Sequence, residues 1–344
     1  MRRVKEMIGY GKGIGKGMPF LGQGIGAAVL DTGIWQHPDF DRRIAGFLDC
    51  VNNRKEIYDD SGHGTHVAGI LAGSGKMSNG IYAGMAPLAR LYSVKVLDRE
   101  GNGTVDNVIR GIQWVLSLYK EERIRIVNIS VGTQPGLEKA EERRLLRAVE
   151  NLWDAGLVVV VSAGNYGPAE GTVAVPGVSR KVITVGAADV GCPVEAGGRR
   201  EWDYSGRGPT GNCIVKPDLV APGTSITSCG GNFSLQSIRK ELTSAGSAGW
   251  KNYGGRNKEN MNSAGRNSGN MNYGRMFGRG GPYAVKTGTS MATPVVSGAI
   301  ACLLSKYPDM TNVEVKLKLR ESCTKSERDD QGWGMLNMER LMKC

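Results

Sequence analysis

The sequence predicts a three-layer α/β fold, with a mostly parallel central sheet flanked by helices on both faces. Short, continuously apolar runs recur along the chain. Stretches of helical period lie between them, and Gly-rich turns follow several of the runs. Strands with no polar face are buried on both sides, which calls for helix layers above and below. In such sheets, sites form beyond the carboxyl ends of the strands.

The first run, Gly26-Ala27-Ala28-Val29-Leu30, reads as a strand ending at Asp31, because Thr32-Gly33 breaks it. Similar runs are 90–97, 124–131, 157–162, 181–185 and 216–220. Helical patterns occupy 65–72, 104–119, 137–155 and 290–306. Pro294 fits a helix only in its first turn, which predicts a helix start close to Ser290. Asp31, Ser130 and Asn165 fall at or just after strand ends, so the pattern gathers them at one edge.

A chain of 344 residues suits one large α/β domain or two ordinary ones. Its longest apolar stretches, 156–163 and 295–304, are too short to span a bilayer, so a soluble protein is expected. The basic opening residues lead into a Gly-rich segment and not an apolar leader. That predicts a cytoplasmic location, with secretion as the alternative if an upstream segment is missing. Seven widely spaced cysteines, an odd number with no C-x-x-C, suggest free thiols and not a disulfide framework or zinc site.

The formal charge is +11. Segment 235–281 supplies six of these charges and consists mainly of Gly, Asn, Ser, Arg and Lys. It holds too little apolar surface for a core and is expected to be a loop insertion. Such a loop raises the alternative of nucleic-acid binding. Trp250 and Tyr253 lie among its cations, but it carries no recognised nucleic-acid motif, so a nucleic-acid partner is not expected.

The chemistry lies in Asp31-Thr32-Gly33, His63-Gly64-Thr65-His66 and Gly288-Thr289-Ser290-Met291-Ala292. Together they offer a carboxylate, an imidazole and a hydroxyl, the set that activates a serine nucleophile. Each alone has a plain structural reading: a strand-end carboxylate, a buried histidine, a serine N-cap. A serine at a helix start also meets free backbone N–H groups and the positive end of the dipole, which favour an oxyanion.

These segments closely resemble the subtilisin-like serine proteases, the subtilases. So do His37-Pro38-Asp39, Gly84-Met85-Ala86-Pro87, Asn128-Ile129-Ser130-Val131-Gly132, Ser162-Ala163-Gly164-Asn165 and Ala221-Pro222-Gly223. The blocks stand in family order from about Gly22 to the end, apart from 235–281. The resemblance implies a subtilisin-like fold and a serine endopeptidase of broad specificity, with an apolar residue before the scissile bond. It makes Ser290 the nucleophile, His63 the base and then acid, and Asp31 the group that orients His63. It makes His66 structural. Asn165 and the Ser290 N–H become the oxyanion donors. Gly101-Asn102-Gly103 and Ser130-Val131-Gly132 become the segments that sandwich an extended polypeptide substrate. Ala163, Gly164 and Ala174 become walls of the pocket for the residue before the scissile bond. The pair Asp59-Asp60 reads either as a device favouring a basic residue nearby or as a solvated loop. No cofactor is needed for the chemistry. Asp39 matches a family calcium ligand, although the companion loop near 73–82 has a different spacing.

On this reading the chain divides into an N-terminal extension, 1–21, and a catalytic domain, 22–344, interrupted by 235–281. Family members carry a folding prodomain, whereas about 25 residues precede Ala27 here. One expectation is therefore that residues 1–21 form an inhibitory arm, with Met18-Pro19-Phe20 blocking the cleft. A non-catalytic binding protein of this fold is the remaining rival, and the intact Asp31, His63, Asn165 and Ser290 set argues against it.

Overall fold

A computed structural model describes residues 1–11, 19–133, 137–188, 194–196, 199–201, 203–231, 281–326 and 328–343. The insertion 235–281 lies outside them except for Gly281, as does Met18 of the supposed arm. The strands are β1 (Gly26–Asp31), β2 (Ile44–Asp49), β3 (Arg90–Lys95), β4 (Ile124–Ile129), β5 (Val158–Ser162), β6 (Ile183–Ala187), β7 (Val194–Ala196), β8 (Arg199–Glu201), β9 (Leu219–Ala221), β10 (Ile226–Cys229) and β11 (Tyr283–Lys286). Seven form one parallel sheet in the order β2-β3-β1-β4-β5-β6-β9.

The helices of the described residues are α1 (Arg2–Met7), α2 (His63–Ala72), α3 (Val105–Leu118), α4 (Lys139–Asp154), α5 (Thr289–Lys306), α6 (Asn312–Ser322) and α7 (Met338–Met342). α2 and α5 pack against each other and the sheet, and α3 and α4 form a second such pair. Every residue of β1 and β5 is buried, as two-sided cover requires. Each such valine contributes about 1.5–3 kcal/mol by leaving water.

Each expected strand and helix is present to within a few residues. Three strand groups escaped the sequence: β2, the antiparallel pair β7–β8, and the pair β10–β11. β2 is an edge strand with a mixed burial pattern, so it lacks a continuous apolar run. β10 and β11 pair antiparallel across the whole stretch 230–282, a separation that hides a hairpin. Pro294 also departs from expectation. α5 begins at Thr289, so Pro294 stands in its second turn and leaves the Ser290 carbonyl without an N–H four residues on.

Residues 1–11 do not dangle. Met1, Val4 and Ile8 are buried in the core, and the Tyr10 hydroxyl donates to the Met85 carbonyl at 2.8 Å. The inhibitory-arm expectation fails for its described part. Pro19 accepts from Gln23, and the neighbouring Gly22 N–H donates to Ser305 Oγ at 3.0 Å. Ser305 lies near the end of α5 opposite Ser290, 15 residues on, or about 22 Å along a helix.

α5 approaches α2 closely because Gly298 carries no side chain. A Cβ there would lie 2.4 Å from Met85 Cβ and 3.1 Å from the Leu71 carbonyl oxygen. Gly298→Ala is expected to lower stability by about 1–3 kcal/mol, measured by urea unfolding of the two proteins.

Candidate active site

Asp31 ends β1, and its side chain is almost wholly buried. Its Oδ1 accepts from the Thr32 N–H at 2.7 Å and pairs with His63 Nδ1 at 2.7 Å. Oδ2 has no hydrogen-bond partner among the described residues. His63 opens α2, behind Gly62 in the left-handed region. Burial works against a charged ring at His63, but the adjoining Asp31 carboxylate outweighs it and holds the imidazole above its ordinary titration range.

Two groups to which the sequence reading gave other roles or none, Asp59 and Thr32, fix this helix start. Asp59 is buried and accepts from the N–H groups of Ser61, Gly62 and Thr65 and from the Thr65 hydroxyl. It thereby satisfies the orphan donors of α2. The Thr32 hydroxyl donates to Asp59 at 2.9 Å and accepts from the Gly64 N–H at 2.9 Å, tying the β1 end to α2. A carboxylate four residues before His63, just ahead of a helix, was the available signal.

Asp60 pairs with Lys95 at 2.8 Å. The Lys95 ammonium is buried and also donates to the carbonyls of Thr32 and Leu97, each at 2.8 Å. Neither reading of the pair, the solvated loop or the device favouring a basic residue, matches this arrangement. One carboxylate caps a helix, and the other is held by a buried cation.

Ser290 is the second residue of α5, and its hydroxyl donates to the Ser130 carbonyl at 2.7 Å. Gly288 precedes the helix at φ 151°, where a Cβ would lie 3.3 Å from Asn165 Nδ2. The Asn165 Oδ1 accepts from the Thr289 N–H and hydroxyl, each at 3.0 Å. That leaves Nδ2 as the free end of the amide. One cleft of about 430 Å³ is lined by His63, Ser290, Asn165, Gly101, Ser130, Val131, Gly132 and Gly164, together with Tyr166 and Lys286. An adjoining cavity of about 560 Å³ shares Gly101, Val131 and Gly132 and adds Asn102, Gly103 and apolar side chains.

Ala163 and Ala174 line neither cavity and are buried. The Ala174 methyl would meet a Cβ at Gly132 (2.6 Å) or Gly164 (2.7 Å), so it backs the cleft from behind.

His66 is buried, and its Nε2 meets the carbonyls of Ile226 at 3.0 Å and Ala284 at 3.1 Å, bridging β10 and β11. Burial lowers its pKa to about 3, so it stays neutral.

Asp39 does not suit a calcium ion. Its carboxylate is buried and accepts from the Met77 N–H at 2.9 Å, the Tyr283 hydroxyl at 2.8 Å and the Cys229 thiol at 3.7 Å. Donors ring the site where a cation needs oxygen acceptors. His37 and Cys229 lie close enough to suggest a softer metal. However, His37 Nδ1 already accepts from the Asp39 N–H at 3.0 Å, and Nε2 meets the Pro282 carbonyl at 2.7 Å. Burial pushes the Cys229 thiol well above its ordinary value, keeping it a donor. The cluster is a closed hydrogen-bond network.

This fold and cleft define a class of enzyme, the subtilisin-like serine endopeptidases. The chain belongs to the subtilase family, whose model matches residues 22–334. It is 38% identical over 330 residues to serine protease AprX of Bacillus subtilis strain 168, covering 94% of this chain and 67% of that protein. It is 32% identical to a thermostable alkaline protease of Halalkalibacterium halodurans, covering 88% of this chain and 63% of that protein. Subtilisin Savinase of Lederbergia lenta is 30% identical, over 98% of this chain and 95% of its own. Among solved structures, Sphericase matches with a TM-score of 0.69 at 25% identity, covering 97% of this chain and 96% of its own. A cold adapted subtilisin-like serine proteinase matches at 0.63 and 25% identity, covering 94% of this chain and 91% of its own. Polypeptides are thus the substrate class. No helix of the described residues is long and apolar enough to cross a membrane.

The relatives overturn the expected cytoplasmic location. Subtilisins and alkaline proteases stand among them.

Asp39→Asn is expected to cost about 1.5–3 kcal/mol, the range for hydrogen bonds to a charged group. The loss should be equal in excess calcium and in chelator, read by thermal unfolding in both. A loss confined to calcium buffer would restore the metal reading.

Proposed function

We propose that the chain cleaves polypeptides through an acyl-enzyme on Ser290, with His63 as base and Asp31 as its orienting partner. The observation that carries this is the 2.7 Å contact between His63 Nδ1 and Asp31, with Ser290 lining the same cleft. With Nδ1–H committed to Asp31, Nε2 keeps its lone pair and can accept a proton. The Ser290 hydroxyl turns from the Ser130 carbonyl to Nε2. Its oxygen bonds the substrate carbonyl carbon, and its proton passes to His63. His63 then gives that proton to the departing amine as the C–N bond breaks. Water repeats the sequence and frees Ser290.

The oxyanion is held by Asn165 Nδ2 and the Ser290 N–H, which lies in the first turn of α5 and has no intrahelical acceptor. Loss of such a side-chain donor costs roughly 3–4 kcal/mol of transition-state binding, a magnitude established on a subtilisin itself. The bare walls at Gly132 and Gly164 and the side chains of Val131 and Tyr166 support broad specificity with an apolar residue before the scissile bond. Residues 22–344 act as one catalytic unit, into which 235–281 is inserted. The acyl chemistry itself uses no cofactor.

The test is labelling by a serine-reactive fluorophosphonate, with the adduct located by mass spectrometry. Stoichiometric labelling at Ser290 and none in Ser290→Ala is expected. Folded protein that does not label would overturn the assignment. A second measurement is kcat/KM against pH. Protonated His63 cannot accept the serine proton, so activity should rise with pH through a midpoint above the ordinary histidine value of about 6.5. A flat profile from about pH 5 to 9 would contradict the base role.

A further inference from the structure

We propose that Lys286 selects substrates with an acidic side chain immediately after the scissile bond. The proposal rests on the Ser290 assignment above and adds a specificity determinant on the leaving side.

Lys286 ends β11, four residues before Ser290, and lines the cleft that holds His63, Asn165 and Ser290. It is half-buried, and no described residue forms an ion pair with its ammonium. The carboxylates nearest the His63 end of the cleft are already committed. Asp31 holds His63, Asp59 caps α2, and Asp60 pairs with Lys95. Glu100 also lines the cleft, next to Gly101 in sequence. The cation opposes protonation of both His63 and His66, so its field reaches the reacting groups.

The direction of the substrate gives this charge a meaning. The acyl portion lies between 101–103 and 130–132, and the carbonyl sits at Ser290 and Asn165. β11 leads into Ser290 and is paired with β10, which packs on α2, and Lys286 lines the cleft at Ser290 but not the adjoining cavity that holds Asn102 and Gly103. The departing segment therefore passes Lys286. A half-buried cation with no ion-pair partner among the described residues is best satisfied by a substrate carboxylate, and it disfavours a second cation there.

The test is digestion of a denatured protein mixture of known sequence, with cut sites mapped by mass spectrometry. The full chain is compared with Lys286→Met and Lys286→Glu. Asp and Glu should exceed Lys and Arg after the cut by about ten-fold, relative to their abundance, at low salt, with the bias shrinking at high salt. The bias should vanish in Lys286→Met and invert in Lys286→Glu. An unbiased wild-type map, or a bias that survives in Lys286→Met, would overturn the proposal. Fluorophosphonate labelling of each protein separates the two readings. Labelled variants with altered maps speak to Lys286 alone, whereas an unlabelled wild type removes the Ser290 assignment and this proposal with it.

Discussion

A buried carboxylate at the end of β1 is the constraint around which the cleft is built. Asp31 is out of water, and such a group is tolerated only where donors or an opposite charge meet it. One oxygen takes the Thr32 N–H and His63, while the other has no partner among the described residues. The incomplete satisfaction favours a positive ring on His63. The start of α2 must therefore stand where His63 reaches Asp31, and Asp59, Thr32 and Lys95 are the groups that hold it there.

Close approach is the second requirement. α5 lies near enough to α2 to present Ser290 beside His63 because Gly298 leaves room for Met85 and Leu71. At the mouth of the same helix, Gly288 leaves room for Asn165. The Asn165 amide is then oriented by Thr289, so one segment carries both Ser290 and the clamp on Asn165. A parallel sheet whose strand order reverses between β1 and β4 brings these pieces to one edge.

The periphery is stabilised by buried polar groups. Around Asp39, the loop at 37–39, the turn at Met77 and both arms of the β10–β11 hairpin meet through donors and acceptors of the chain itself. His66 ties the same hairpin to α2 from below. The hairpin flanks the inserted segment on both sides and carries Lys286 into the cleft. A structural network and a cleft-lining cation thus share one short element.

The reach of the sequence follows from the range of the forces involved. Strands such as 157–162 and helices such as 104–119 are legible because burial on two faces or one imposes a local period. Asp31, His63, Asn165 and Ser290 are legible because their chemistry needs Gly-rich turns at strand ends and helix starts. β2 and the β10–β11 pairing are not, since an edge strand has no uniform burial and the hairpin arms are distant in the chain. Nor could composition tell Asp59 from Asp60, or show that Asp39 faces donors. It also could not show that Ala174 stands behind the cleft wall or that Lys286 faces into the cleft. Those outcomes depend on which groups from other segments arrive within hydrogen-bonding distance. The sequence by itself determined the α/β class and the subtilase family, because both are written in local patterns. The partners of each buried charge were decided only by the tertiary structure, because desolvation and pairing act between residues that meet only when the chain is folded.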